Sequence, residues 1–192
     1  MTRAALLIID FFNPRGFDGY EAAALRAARN TARLKMRLHA LGVPTIYAND
    51  NFGQWESEFS GIVDMCRARR GTPSTIAELL APRRGDRSVL KPRHSAFYET
   101  PLAFVLEGLA AKMLILTGVS ADSCIMFTAH DAYLRKLDLW IPADCVASPK
   151  PAYTRAALAH QQRVLHASVA TSRADLARQL RRQKRNSATS GK

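Results

Sequence analysis

The chain has 192 residues, 28 of them Lys or Arg and 16 Asp or Glu, for a formal charge of +12. With 47% hydrophobic and 23% charged residues it has the composition of a folded globular chain, which excludes an intrinsically disordered one. The length suits a single domain large enough to need no disulfide or metal staple. The charge raises a nucleic-acid or membrane-surface function, and that reading depends on where the charges lie.

Three cysteines, Cys66, Cys124 and Cys145, are an odd and sparse set for a disulfide framework. Reduced thiols and a cytoplasmic location are therefore expected. The apolar run Ala4–Ile9 stops abruptly at Asp10, too short for a signal-peptide core or a membrane span, so a soluble protein is expected.

In chain order, apolar runs alternate with helical patterns. Ala4–Ile9 reads as a strand buried on both faces. Residues 20–41 read as a helix, with Ala24, Ala27, Thr31, Leu34, Leu38 and Leu41 on one face and Gly42 and Pro44 closing it. Arg26, Arg29, Arg33 and Arg37 form a basic stripe on the opposite, solvated face. Thr45–Ala48 is a second strand, followed by a long irregular connection containing a helix. Ser88–Leu90, Met113–Thr117, Leu139–Ile141 and Ala167–Ala170 read as the third to sixth strands, each after a helical stretch. That alternation predicts an α/β fold: a three-layer αβα sandwich around a six-stranded, mostly parallel, Rossmann-like sheet. One domain is expected over residues 1–185, with a basic C-terminal helix from about 173 and a disordered polar tail over 186–192.

Sheets of this kind bind ligands outside the carboxyl ends of their strands. Asp10, Asn49 and Asp50, Lys91, and the segment Gly118–Cys124 occupy those places. Asp10 either caps the turn through Asn13 and Gly16 or has a buried partner or a chemical task, since an unpaired buried carboxylate costs several kcal/mol. Lys91 either is an exposed lysine with a packed stem or reaches into a pocket. Cys124 opens a helix, where unsatisfied N–H groups and the dipole lower a thiol pKa from about 8.5 toward about 3.5–7.5 when cations help. The same N–H groups suit a developing oxyanion. The other reading is a buried inert thiol, which is the expectation for Cys66 and Cys145. Of five histidines only His94, three residues after Lys91, is expected near the pocket. The chain has no G-x-G-x-x-G, P-loop or C-x-x-C, and its Gly118–Asp122 segment departs from G-x-S-x-G at the last position.

Asp10, Lys91 and Cys124, each just after a strand, resemble the isochorismatase-like cysteine hydrolase superfamily, which includes nicotinamidases and N-carbamoylsarcosine amidases. The likeness is carried by Ala5–Asp10, Val89–Phe97, Leu114–Cys124, Thr128–Tyr133 and Pro142–Cys145, and it covers about residues 4–172. It implies a Cys124 nucleophile, Asp10 as general base and acid, and Lys91 positioning Asp10 and favouring the thiolate. It also implies a cis peptide between Val119 and Ser120, with the N–H groups of Ser120 and Cys124 forming an oxyanion hole. Three departures stand out. Nicotinamidases carry Asp-x-His after the second strand, but Asp50 is followed here by Asn51 and Phe52, so no catalytic metal and no cofactor are expected. Many members have a Gln where this chain has Phe12. True isochorismatases often lack the Cys present here. Phe12, Phe17, Asn49, Trp55 and Phe97 are the candidate pocket lining.

The implied function is hydrolysis of a small amide or carbamoyl C–N bond through a covalent Cys124 intermediate, with a small amide-type molecule as substrate. The implied assembly is a dimer or tetramer. The alternative is a basic nucleic-acid-binding or non-catalytic interaction protein on the same fold. Against it, Arg173–Lys192 holds seven basic residues and one acid, so half of the net charge lies in the last twenty residues, beyond the family-like part. No specific nucleic-acid or membrane partner is therefore expected.

Overall fold

The computed structural model describes residues 3–55 and 58–181. In chain order the elements are β1 (Ala4–Ile9), α1 (Glu21–His39), β2 (Thr45–Asp50), α2 (Phe59–Ala68), α3 (Thr72–Leu79), β3 (Arg87–Lys91), α4 (Leu102–Gly108), β4 (Met113–Val119), α5 (Cys124–Leu134), β5 (Asp138–Trp140), β6 (Val146–Ala147), α6 (Pro151–Val164) and α7 (Leu176–Arg181). Five of the six parallel strands run in the order β3-β2-β1-β4-β5. β6 follows β5 along the same flank of β4, pairing with Gly118 and Val119 where β5 pairs with Met113 to Ile115.

Strand periodicity divides the core in two. Along β1, Ala4, Leu6 and Ile8 face one apolar cluster while Ala5, Leu7 and Ile9 face the other. The first cluster is covered by α1, α2, α3 and α7, and the second by α4, α5 and α6. This is the expected three-layer α/β arrangement. Because β2 and β4 leave β1 on opposite sides, the strand order reverses between β1 and β4. A crevice opens at the carboxyl ends of those two strands, and Asp10 and Cys124 follow them.

Several element boundaries differ from the sequence reading. Ala167–Ala170 is not a full strand: only Ser168 forms a bridge, to Trp140 of β5. The sixth strand is β6, whose two residues carry too short an apolar pattern to be read from sequence. α1 ends at His39, and Leu41, in the turn that closes at Gly42, is 48% exposed instead of continuing the buried face. The arginine stripe is exposed as expected, but Arg37 also donates to the carbonyls of Ser172 and Ala174, tying α1 to the chain before α7. Lys35 on the same helix is buried, with Nζ 2.6 Å from both Tyr47 Oη and Asp86 Oδ2. The anticipated C-terminal helix is the short α7, and the anticipated tail 186–192 lies outside the described residues. Among the described residues no helix is long and apolar enough to cross a membrane.

Candidate active site

Parallel pairing aligns the strand ends, so residues far apart in sequence emerge side by side. Ile9 is in register with Ala48 and Gly118, and Asp50 with Lys91. Asp10 follows immediately, its N–H donating to the Ala48 carbonyl and its backbone at φ 52°. That left-handed conformation turns its carboxylate into the crevice instead of continuing the strand. Asp10 caps no turn: the 13–16 turn is held by Asn13, whose amide donates to the Gly16 carbonyl and accepts from the Arg15 N–H.

Lys91 is fully buried, which rules out the exposed reading. Its Nζ lies 2.8 Å from Asp10 Oδ2, 3.6 Å from Cys124 Sγ, 3.2 Å from the Arg93 carbonyl and 4.0 Å from Asp50 Oδ2. Asp10 Oδ1 accepts the Asp50 N–H at 2.7 Å, so both carboxylate oxygens are engaged. The Cys124 sulfur interacts electrostatically with the same carboxylate. Asp10, Lys91 and Cys124 thus form one contiguous cluster.

Its electrostatics differ from that reading in one respect. Burial pushes the Cys124 thiol up to about 12, and the Asp10 carboxylate pushes the same way; Lys91 opposes both without overcoming them. Burial and the carboxylate thus favour the neutral thiol over the thiolate expected from the helix N-terminus alone. Burial likewise raises Asp10 above the usual carboxylate range although Lys91 pulls it down. Burial alone would lower Lys91, but the Asp10 carboxylate beside it, joined by the Cys124 sulfur once ionised, raises it, so it stays charged. Cys66 and Cys145 are buried thiols raised to about 11 and about 12, chiefly by burial.

The peptide Val119–Ser120 is cis. The Ser120 carbonyl accepts from Ser123 and Ile125, forming the tight turn that delivers Cys124 to the first position of α5. Neither the Ser120 N–H nor the Cys124 N–H donates to another described residue, so both remain available to a ligand oxygen. No side-chain cap covers the start of α5. His94 stands on the solvent side of the thiol, with Nδ1 3.8 Å from Sγ and 3.3 Å from Ser123 Oγ, and its ring stacks on Phe127.

The cluster opens into a cleft of about 170 Å³ lined by Asp10, Asn13, Tyr20, Asp50, Phe52, Val119, Ser120 and Cys124. None of the five expected lining residues is among them. Phe12 is buried edge-on against Tyr47 and Phe59, and Phe17 is buried against Tyr20. Phe97 belongs to the opposite core with Arg135 over its ring, and Trp55 is 78% exposed. Asn49 is a buried strut: its amide accepts from the Phe12 N–H and donates to the Phe12 carbonyl. Tyr20, hydrogen-bonded to the Ser120 side chain, and Phe52, beneath the Arg15 guanidinium, are the aromatics that reach the cleft. Position 12 gave no warning, because the chain turns at Asp10 and sends Phe11 and Phe12 inward.

The donors do not fit the Asp-x-His metal site of nicotinamidases. A phenyl ring stands at position 52, and the Asn51 side chain is tied to the Gly53 N–H. Among the described residues no group of three or more His, Cys, Asp or Glu side chains is gathered that could hold a metal ion.

A family model described as the isochorismatase domain matches residues 4–175. YaaI of Bacillus subtilis, an uncharacterized isochorismatase family protein, is 36% identical over 170 residues, covering 87% of this chain and 93% of its own. The chain is also similar to ureidoacrylate amidohydrolase RutB of Methylorubrum extorquens, at 35% identity over 76 residues. That match spans 40% of this chain and 31% of RutB. N-carbamoylsarcosine amidase from Thermoplasma acidophilum has a similar solved structure, with a TM-score of 0.68 at 21% identity over 90% of this chain and 98% of that one. Likeness at that identity speaks for the fold. The expected resemblance therefore holds on motifs, family and architecture together, and the chain belongs to the isochorismatase family of hydrolases.

Proposed function

We propose that the chain is a cysteine-dependent hydrolase that cleaves a small amide or carbamoyl C–N bond through a covalent intermediate on Cys124. The observation carrying this reading is the cluster of Asp10, Lys91 and Cys124 at the strand-order reversal, with two free N–H groups beside the sulfur.

Cys124 Sγ attacks the substrate carbonyl carbon while the Asp10 carboxylate takes the thiol proton. The oxyanion that forms accepts from the N–H groups of Ser120 and Cys124. Asp10 then hands its proton to the departing nitrogen, the C–N bond breaks, and ammonia or an amine leaves. Water attacks the thioester as Asp10 takes a water proton; the C–S bond breaks and the proton returns to sulfur. Lys91 stays protonated throughout, keeping Asp10 ionised in a buried site and offsetting the charge that builds on sulfur.

The small cleft favours a compact substrate, and the Asp50 carboxylate facing it suits the N–H groups of an amide or ureido function. The names of two relatives, a ureidoacrylate amidohydrolase and an N-carbamoylsarcosine amidase, lie in the same chemical class. The test is ammonia release across a panel of primary amides, ureido acids and N-carbamoyl amino acids, for wild type, Cys124→Ala, Asp10→Asn and Lys91→Ala. Turnover is expected for wild type, to be lost in Cys124→Ala and Asp10→Asn, and to fall in Lys91→Ala. Turnover retained by Cys124→Ala would overturn the mechanism.

A further inference from the structure

Two histidines outside the cleft have a geometry that the hydrolytic cluster does not use. His130 on α5 and His160 on α6 are both half-buried, with Nε2 atoms 3.3 Å apart and ring centroids 5.3 Å apart. His130 Nδ1 lies 2.8 Å from the Met126 carbonyl one turn earlier. A carbonyl can only accept, so Nδ1 carries the proton and donates. In the neutral ring this leaves a lone pair on His130 Nε2, aimed at the facing imidazole.

We propose that His130 and His160 form a binding site for a borderline divalent transition metal ion such as Zn²⁺, Ni²⁺ or Cu²⁺, with water completing the coordination. Two nitrogens each about 2.0–2.1 Å from a tetrahedral zinc lie about 3.3–3.4 Å apart, the separation seen here. Imidazole is the ligand type that these ions share. The Met126 carbonyl supplies the outer hydrogen bond that fixes a ligating histidine's tautomer and orientation. Water completes the shell because the neighbouring carboxylate faces elsewhere: Asp131 accepts from Ser95 and pairs with Arg135.

The site is separate from the hydrolytic one. His130 lies six residues after Cys124, about 240° around α5, so its ring points away from the cleft. A bound ion would join α5 to α6, which otherwise touch lightly, and would stabilise the folded chain by mass action.

The experiment uses the full chain, stripped with chelator and titrated with Zn²⁺ by calorimetry and by thermal unfolding. Wild type and Cys124→Ser are expected to bind one equivalent and to show a rise in Tm. His130→Gln and His160→Gln are each expected to lose both responses. Equal zinc binding by the histidine variants would overturn the proposal, and so would no saturable binding by wild type, which would leave a hydrogen-bonded histidine pair only. A second measurement needs no variant: Cu²⁺ bound to wild type should show an electron paramagnetic resonance spectrum split by two imidazole nitrogens. A spectrum without that splitting would equally overturn it. None of these readouts depends on turnover, so failure here leaves the hydrolase reading standing.

Discussion

A β-carbon on Gly118 would lie 2.0 Å from the carbonyl oxygen of Ile9, the residue immediately before Asp10. Gly118 also holds φ 130°, a conformation that side chains rarely adopt. The contact sits where β1 and β4 diverge toward the carboxylate and the thiol. Gly118→Ala should therefore push the two strand ends apart, costing about 3 kcal/mol or more. Thermal and urea unfolding would measure it, and a variant within about 1 kcal/mol of wild type would contradict the close approach.

The Asp10–Lys91 pair predicts a pH effect of definite sign. Burial raises the Asp10 pKa and Lys91 lowers it. In Lys91→Met the opposing charge is gone, so the carboxylate should titrate higher still. The acid limb of kcat/KM, which reports Asp10 ionising in the free enzyme, should move to higher pH while the plateau falls. Losing one partner of a buried pair should also cost about 3–5 kcal/mol of stability. An acid limb at the wild-type position would show that Lys91 does not act through Asp10.

Asp10→Asn should change reactivity and turnover in opposite directions. The carboxylate helps to hold the Cys124 thiol near 12, whereas Lys91 pulls it down. Without the carboxylate, Lys91 is opposed by burial alone and more thiolate forms at neutral pH. Iodoacetamide should alkylate Cys124 faster in Asp10→Asn than in wild type, while amide hydrolysis is lost. In wild type the same labelling should be slow at neutral pH and accelerate steadily as the pH rises. Labelling that is fast at neutral pH in wild type and slowed by the substitution would reverse the argument.

The parts of this molecule legible in sequence are those with a local cause. β1 is six consecutive buried residues and matches its predicted bounds, and β4 extends the predicted strand by only two residues. Asp10, Lys91 and Cys124 were visible because each interrupts or follows an apolar strand, and parallel pairing then brings such strand ends together. The cleft wall has no such signature. Tyr20 reaches it from the start of α1, and Phe52 from a positive-φ turn after β2. Phe12, two residues from Asp10, was drawn into the core by Tyr47 and Phe59. The raised thiol pKa was hidden for a similar reason. A helix N-terminus can be read from the chain, whereas the burial and the carboxylate that outweigh it exist only after folding. Lys35 gave a basic residue in an amphipathic helix, and nothing local marks its partners 12 and 51 residues away.

Asn49 provides the sharpest separation of shape from charge around the site. Its side chain accepts the Phe12 N–H at 3.2 Å and donates to the Phe12 carbonyl at 2.9 Å, holding the chain just beyond Asp10. Both Phe12 groups are buried, and water cannot replace the lost partner without opening the core. Asn49→Leu, close in volume, should leave the two backbone groups unsatisfied and cost about 2–5 kcal/mol. Asn49→Asp keeps the acceptor but removes the donor, and it adds a carboxylate one residue from Asp50 and near Asp10. That added carboxylate should raise the Asp10 pKa and move the acid limb of kcat/KM upward, a change the leucine variant has no charge to produce. Unfolding measurements on both variants, with pH–rate profiles wherever turnover survives, separate the two effects. If the aspartate and leucine variants lose equal stability and share one unshifted profile, Asn49 acts by packing alone, and the two hydrogen bonds to Phe12 do not hold the strand end that presents Asp10.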